Sequence, residues 1–213
     1  MASNRQRVVS QRRKPAQARA RATIDAIFEA TARIIERAGI AALNTNRIAE
    51  RAGISIGTLY EYFPNKDAIL IAMAQRRLAE DERLVWQALT LAEVDQNVTL
   101  ARRAIRKMVA LHAERPKVRR AIMATHLANG FGSEHARPVQ EIAEFIAERN
   151  ASLLGDKAPQ LDRASLFVLT RAVLGVIRAA FEERSQLAGT TSLEDELVRL
   201  VEAYLAALQP THT

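Results

Sequence analysis

Residues 45–66 read TNRIAERAGISIGTLYEYFPNK, and this segment is the most informative part of the sequence. It predicts two short helices joined by a tight turn, in which Gly53 takes the left-handed conformation that ends the first helix. Thr45 is expected to cap the first helix and Ser55 the second, because a hydroxyl at the start of a helix accepts from a free backbone N–H. Two helices joined in this way form the helix-turn-helix arrangement, whose second helix enters the major groove of DNA.

The second of these helices divides into an inner and an outer side. At about 100° per residue, Ile56, Leu59 and Phe63 fall in one sector, which we predict to face the core. The opposite side carries residues that a core does not need, namely Gly57, Thr58 and Glu61.

Helices are also predicted on both sides of this motif. From Ile24 to Ala38, apolar residues recur at steps of three and four, and Gly39 predicts the C-terminal cap. After the motif, Asn65 is expected to cap a long helix that begins at Lys66.

Residues 43–70, LNTNRIAERAGISIGTLYEYFPNKDAIL, resemble the N-terminal DNA-binding domain of the tetracycline-repressor (TetR) family of bacterial regulators. The resemblance extends from about Ile24 to Leu70. Its glycine turn, its G-T-L-Y-x-Y-F core and its F-x-N-K exit occur together and in register.

The resemblance implies a role for each matching position. The implied contacts to the DNA backbone are Thr45, Ser55, Tyr60, Tyr62 and Lys66. The implied contacts to base edges are Gly57, Thr58 and Glu61. Glu61 departs from the family pattern in the sign of its charge. A carboxylate near DNA can contribute only by accepting a hydrogen bond from a cytosine amino group or by orienting a neighbouring side chain. Ile56 also stands where relatives are often basic.

The net charge of +7 lies at the N-terminus. Residues 1–21 contain seven basic residues and no acid, and removing those seven from the 31 basic residues leaves 24, which matches the 24 acids. We therefore predict a flexible basic arm over residues 1–20 that contacts phosphates or a minor groove, with Arg19 and Arg21 among the DNA-binding residues. The alternative is a solvated tail with no role.

Composition argues against several other classes of protein. Cysteine is absent, so disulfides, thiol nucleophiles and thiolate metal sites are excluded. The histidines show no pairing with metal-ligand spacing, and we predict no catalytic residue, metal or cofactor. The basic N-terminus has no apolar segment after it, and Arg171 and Arg178 interrupt the longest apolar run. These features predict a cytoplasmic protein with no membrane partner.

The rest of the chain is predicted to be helical, which makes the fold all-α: a DNA-binding domain over 21–70, then a ligand-binding and dimerisation domain over 71–213. Breaks are expected at 92–97, at 115–116 and at 129–138. The last three helices are expected over 137–154, 162–187 and 192–208.

The helix predicted over 162–187 is apolar over most of its circumference, which favours burial on two faces. One face would pack within the subunit and the other against a second copy, with Gly175 allowing close approach. The resemblance implies a dimer interface of four helices, two from each subunit. The predicted interface residues are Leu166, Val173, Ile177, Leu193, Leu197, Leu200, Val201 and Tyr204. The alternative is a helix buried wholly within one subunit.

The resemblance also implies an inducer cavity among the middle helices. Residues that combine apolar bulk with a few polar tips suit such a site. The candidates are Trp86, Met108, His112, Met123, His126, Phe131, Phe145 and Arg171. Each of them alone fits a core or surface position equally well.

The sequence therefore predicts a homodimeric, ligand-responsive transcriptional regulator that binds double-stranded DNA and performs no chemistry. The expected mechanism is repression at a palindromic operator, with release by a small-molecule inducer. One alternative is an architectural protein that binds DNA with little sequence preference, and another is a helical-bundle enzyme with a basic tail. Operator selectivity separates the first alternative from a repressor.

Overall fold

The computed structural model describes residues 3–90, 99–130, 137–154 and 161–208, and the side chains in these ranges except 3–16, 150 and 152–154. In these ranges the regular structure is helical, as predicted. The helices are α1 (Ser3–Ala38), a 3-10 helix (Ile40–Ala42), α2 (Thr45–Ala52), α3 (Ile56–Tyr62), α4 (Lys66–Thr90), α5 (Leu100–Ala113), α6 (Pro116–Ala128), α7 (Arg137–Leu154), α8 (Arg163–Glu182) and α9 (Thr191–Ala207).

The N-terminal core holds the helix-turn-helix motif in place. Ile27 of α1, Ile48 of α2 and Leu59 of α3 are completely buried in it. The first half of α4 and one face of α6 complete this core, through residues such as Ile69 and Ile122. The unit of α1, α2 and α3, residues 24–62, which we call the head, therefore rests on α4 and α6 and is not closed by its own three helices.

A second core lies among the end of α4 and helices α5, α7, α8 and α9. Leu111, Ile177 and Leu197 are buried there almost completely. Because α4 runs from one core to the other, the predicted division at residue 70 falls within a continuous helix.

Several predicted boundaries agree with the structure. The helix over 137–154 is observed with those bounds, and the break at Arg115 and Pro116 separates α5 from α6. Arg115 itself adopts a left-handed conformation, with φ of 45°. The last two helices end at Glu182 and Ala207, earlier than predicted. The predicted break at 92–97 and most of the predicted loop at 129–138 lie outside the described residues.

The N-terminal arm differs from its prediction. Residues 3–20 were expected to lack regular structure, but α1 begins at Ser3. Apolar periodicity in a sequence marks the buried face of a helix, so a helix that is exposed on all sides shows no such periodicity. The sequence AQARARA over residues 16–22 consists of good helix formers, which extend the buried part of α1 towards the N-terminus.

Helix α8 is apolar enough to be compared with a membrane-spanning helix. Among the described helices it is the one that is long and apolar enough to cross a membrane, with a mean hydropathy of 1.7. In the structure it packs against α5, α7 and α9, and Leu169, Val173 and Ile177 are buried in the second core. Packing in the second core accounts for the buried 44% of this segment, whereas Phe167, Val168 and Val176 are exposed.

Candidate nucleic-acid interface and ligand cavity

Asn44, and not Thr45, caps α2. Asn44 Oδ1 accepts a hydrogen bond of 2.9 Å from the backbone N–H of Arg47, whereas Thr45 is the first residue inside the helix. Both residue types suit a cap, and the sequence does not show which of two neighbours takes that place. Thr45 has another role, because its hydroxyl lies 3.1 Å from the hydroxyl of Tyr60 and so joins α2 to α3.

The turn and the second cap are as predicted. Gly53 has φ of 70° and ψ of 32°, and its N–H reaches the carbonyl oxygens of Ala49 and Glu50 at the end of α2. Ser55 Oγ accepts from the N–H of Thr58 at 2.9 Å and lies 2.9 Å from the hydroxyl of Thr58. These bonds fix the start of α3 relative to α2.

The exposed face of α3 differs from the predicted one. Ile56 is 38% exposed, although it was predicted to face the core, and it lies beside the exposed Gly57, Tyr60 and Glu61. Thr58 is half-buried and its hydroxyl is engaged by Ser55. A helical wheel gives the angle around the axis but not which end of the helix its neighbours cover, and Ile56 lies at the uncovered end. Leu59 and Phe63 are buried as predicted.

The other predicted DNA-binding residues differ in their exposure to solvent. Lys66 is exposed at the start of α4, where Asn65 caps the helix as predicted by accepting from Ala68 at 2.8 Å. Tyr62 is half-buried and packs against the N-terminal core. Arg19 and Arg21 are exposed on α1.

Two exposed arginines on α2 were not identified from the sequence. Arg47 and Arg51 are one helical turn apart and project from the first helix of the motif. Their spacing was a usable signal, because residues four apart in a helix share one face. They add positive charge next to a recognition helix that has none.

A cavity of about 400 Å³ lies among α4, α5, α6, α7 and α8. Its size falls within the range of small-molecule sites. Four of the eight predicted ligand-binding residues line it: Met108, His112, Met123 and Arg171. Because a carbonyl oxygen can only accept, the 2.8 Å contact between His112 Nδ1 and the Met108 carbonyl places a proton on Nδ1.

Three of the remaining candidates are described by the structure, and they do not line this cavity. Trp86 and Phe145 pack edge to face in the second core, with their ring centroids 5.1 Å apart. His126 is completely buried on α6, and Phe131 lies outside the described residues. Aromatic and histidine residues serve equally well as core residues, so their type alone could not separate the two roles.

The cavity wall also contains a buried arginine that the sequence analysis did not identify. Arg119 is 8% exposed; it donates to the carboxylate of Asp81 and, at 3.1 Å, to the carbonyl oxygen of Leu111. Burial lowers the pKa of the Arg119 guanidinium, and the charge of Asp81 opposes that effect. A second guanidinium shares the same carboxylate, since Arg77 Nε lies 2.9 Å from Asp81 Oδ1.

Most of the predicted dimer residues of α8 and α9 face the core of their own subunit. Six of them are buried in their own subunit: Leu166, Val173, Ile177, Leu193, Leu197 and Val201. Tyr204 is half-buried, and only Leu200 belongs to the exposed apolar residues. The exposed large apolar residues of α8 are Phe167, Val168 and Val176, which are spread over the half of the helix turned away from the second core, and together with Leu200 of α9 we call them the outer apolar face. Where helices are apolar on every side, the sequence pattern does not show which side points inward.

Family models match both the N-terminal and the C-terminal part of the chain. The model of the bacterial regulatory proteins of the tetR family matches residues 27–73, and that of the tetracyclin repressor-like C-terminal domain matches residues 98–205. The chain belongs to the TetR family. This TetR-family protein is therefore a DNA-binding transcriptional regulator and not an enzyme.

Relatives and solved structures extend the comparison. The regulator BetI of Paraburkholderia phytofirmans is 28% identical over 144 residues, which cover 65% of this chain and 69% of BetI. A TetR-family regulator from Streptomyces coelicolor has a TM-score of 0.60 at 24% identity, over 87% of this chain and 99% of its own. SmeT in its complex with triclosan has a TM-score of 0.60 at 22% identity, over 89% of this chain and 93% of its own. The two structural likenesses show the shared fold.

Proposed function

We propose that this TetR-family regulator is a homodimeric, cytoplasmic repressor. In this proposal it binds a palindromic operator in double-stranded DNA and leaves it when a small molecule enters the cavity. The observation that carries the proposal is the position of that cavity, because α4 and α6 form part of its wall and also support the DNA-binding head.

Sequence reading would fall to the exposed face of α3. Ile56 can make an apolar contact with a thymine methyl group, and Glu61 can accept from a cytosine amino group. Gly57 between them allows close approach, since a Cβ added there would meet only the Ser55 hydroxyl, at 3.7 Å. A face whose one charged residue is an acid is repelled by the phosphates of DNA, so contacts to the DNA backbone must supply the affinity.

Those contacts would come from the residues around α3 and from the basic arm. Thr45, Ser55, Tyr60, Tyr62 and Lys66 are proposed to grip the phosphate backbone. Arg19 and Arg21 would extend the contact along the DNA from the exposed surface of α1.

The outer apolar face of α8 and α9 would form the homodimer. Monomeric proteins rarely expose several large apolar side chains together. Two copies related by a two-fold axis would bury Phe167, Val168, Val176 and Leu200 against each other. The same symmetry would present two α3 helices about 34 Å apart, which is one turn of B-DNA.

Ligand binding would be coupled to the head through α6. Met123 lines the cavity and also belongs to the N-terminal core, so a ligand that displaces it also displaces a head residue. At the start of α6, Arg115 makes two hydrogen bonds to Glu29 of α1, at 2.9 and 3.1 Å, and an ion pair with Glu36 at 3.0 Å. A shift of α6 would therefore pull on α1.

The ligand can release DNA only if it binds more tightly to the conformation that does not fit the operator. A loss of operator affinity of about 100-fold corresponds to a coupling free energy of about 2.7 kcal/mol. The SmeT complex contains triclosan, and so a neighbour of the same fold holds a small molecule. This supports the cavity as a ligand site in this chain. The chemical class of the ligand must be inferred from the residues that line the cavity.

The proposal is tested by selecting duplexes from a random library with the full-length protein, and then by screening small molecules for release of the selected duplex. Fluorescence anisotropy of a labelled duplex measures both steps. The expected result is one inverted repeat bound by one dimer, and at least one compound that releases it. If random duplexes bind nearly as well as the selected one, the protein is an architectural DNA-binding protein and the repressor proposal fails.

A further inference from the structure

A second, smaller cavity adjoins the ligand cavity. Its volume is about 80 Å³. Met108, Val139 and Ile142 line both cavities and therefore lie between them. It lies between α5, α7, α8 and α9, and alanines at positions 101, 104, 143 and 147 narrow it. The two spaces together have the shape of a chamber with a thin extension.

The smaller cavity offers no polar partner from the side chains that line it. Thr170 is its one polar lining residue, and the Thr170 hydroxyl donates to the carbonyl oxygens of Leu166 and Phe167, at 2.8 and 3.1 Å. The other lining residues are alanine and larger apolar residues. A polar ligand group placed there would lose its hydrogen bonds to water without replacing them, so the space suits an apolar chain.

The larger cavity is different, because charged groups lie in its wall. Four arginines face three carboxylates there: Arg119, Arg120, Arg171 and Arg178 against Asp81, Glu82 and Glu182. Arg119 is paired with Asp81, and Arg178 with Glu182 at 3.7 Å near the exposed rim.

Two lining arginines then remain for a ligand. In the part of the chain that the structure describes, no carboxylate lies within ion-pair distance of Arg120 or Arg171. Arg171 lies over the ring of Phe167, 4.8 Å from its centroid, and Glu82 is the one lining carboxylate not engaged by an arginine. The wall therefore has an excess of one positive charge that a bound anion would balance.

Arg119, already counted in this sum, is the lining arginine most removed from water. The single carboxylate of Asp81 forms ion pairs with both Arg119 and Arg77. Arg77 also pairs with Glu114 at 2.7 Å, but Glu114 is largely exposed to solvent. A guanidinium removed from water is destabilised unless an anion is close to it. An anionic ligand group would lower that cost, whereas a cationic group would raise it.

We propose that the ligand of this regulator is an amphipathic anion, with one carboxylate beside the cavity arginines and an unbranched apolar chain that enters the smaller cavity. This inference rests on the proposed function, in which the cavity holds the inducer. It adds the charge and the shape of that inducer.

The charge of the ligand is tested with three probes that share one chain length: decanoate, decanol and decyltrimethylammonium. Isothermal titration with the full-length protein measures each affinity. Decanoate is expected to bind roughly tenfold to a hundredfold more tightly than decanol, the range expected for a hydrogen bond to a charged group. Decyltrimethylammonium is expected to bind least tightly. Equal affinity for all three probes, preference for the cation, or no binding of decanoate would overturn the proposal.

Variants locate the carboxylate. Arg120→Gln and Arg171→Gln should each weaken decanoate binding about tenfold and leave decanol binding unchanged. The control is Arg83→Gln, because Arg83 is exposed on α4 and pairs with Glu80 away from the cavity. If neither cavity variant differs from the control, the carboxylate does not lie beside these arginines.

A further pair of variants locates the chain. Ala143→Leu should fill the smaller cavity, and it should weaken decanoate more than the short acid butanoate. Ala79→Leu, at an exposed position on α4, is the matched control. Equal losses for the two acids would place the chain elsewhere.

Release of the selected duplex separates this inference from the proposed function. If decanoate binds with the expected charge preference but does not release the duplex, the ligand class stands and the repressor mechanism fails. If another compound releases the duplex while decanoate does not bind, the mechanism stands and the ligand class fails.

Discussion

Leu197 and Leu200 lie about one turn apart on α9 and provide a matched test of the dimer interface. Leu197 is 2% exposed and Leu200 is 43% exposed. Full burial of a leucine is worth about 1.5–3 kcal/mol, so pairing the 43% exposed part of Leu200 contributes about 0.6–1.3 kcal/mol per subunit. Two copies contribute about 1.3–2.6 kcal/mol per dimer, and so Leu200→Asp should raise the dimer dissociation constant at least about tenfold.

The same substitution at Leu197 should have a different effect. Truncating a buried leucine costs the subunit about 2–5 kcal/mol, and a buried carboxylate costs more. Leu197→Asp is therefore expected to unfold the protein, whereas Leu200→Asp should leave a folded monomer.

Analytical ultracentrifugation over a concentration series measures the dimer, and urea unfolding followed by circular dichroism measures the subunit. The reasoning is refuted if Leu200→Asp dimerises like the parent protein while Leu197→Asp gives a folded monomer. That result would place the interface on the face that the structure assigns to the core.

The remaining predictions concern the head. Lys66→Ala should weaken binding to all duplexes and lower the slope of log K against log salt by about 1. Tyr60→Phe should weaken binding without changing the slope, because it removes no charge. If Lys66→Ala has the same slope as the parent protein, Lys66 does not contact a phosphate. Gly53→Ala should cost about 1 kcal/mol of unfolding free energy, because φ is 70° there, and an unchanged urea midpoint would contradict this. Arg115 and Arg33 lower the pKa of Glu29 from 4.5 to about 2, so the Glu29 ion pairs stabilise the protein fully above pH 4.5 and are lost as the pH falls towards 2. The stability difference from Glu29→Gln should shrink over that window, and a constant difference would show that these pairs do not stabilise the fold.

Much of the head could be predicted because its signals are local. A left-handed turn needs Gly53, and the hydroxyl of Ser55 satisfies an N–H three residues later, so sequence alone determines both features. Ile56 could not be assigned in this way, because its exposure depends on which end of α3 its neighbours cover.

The C-terminal helices show where sequence reasoning stops. Leu197 and Leu200 are the same residue type on the same helix, and only the packing of α9 against α5 and α8 separates a core position from an exposed one. The cavity is harder still, since Arg119 and Asp81 come from different helices and their pairing depends on the tertiary fold.

The ratio of two dissociation constants shows whether this regulator recognises one DNA sequence. At one fixed salt concentration, the full-length protein is titrated against the selected duplex and against a shuffled duplex of the same composition. A regulator that reads sequence through Ile56, Gly57 and Glu61 should bind the selected duplex at least about 1,000-fold more tightly. A ratio near one would contradict the account, because the head would then bind DNA by charge alone.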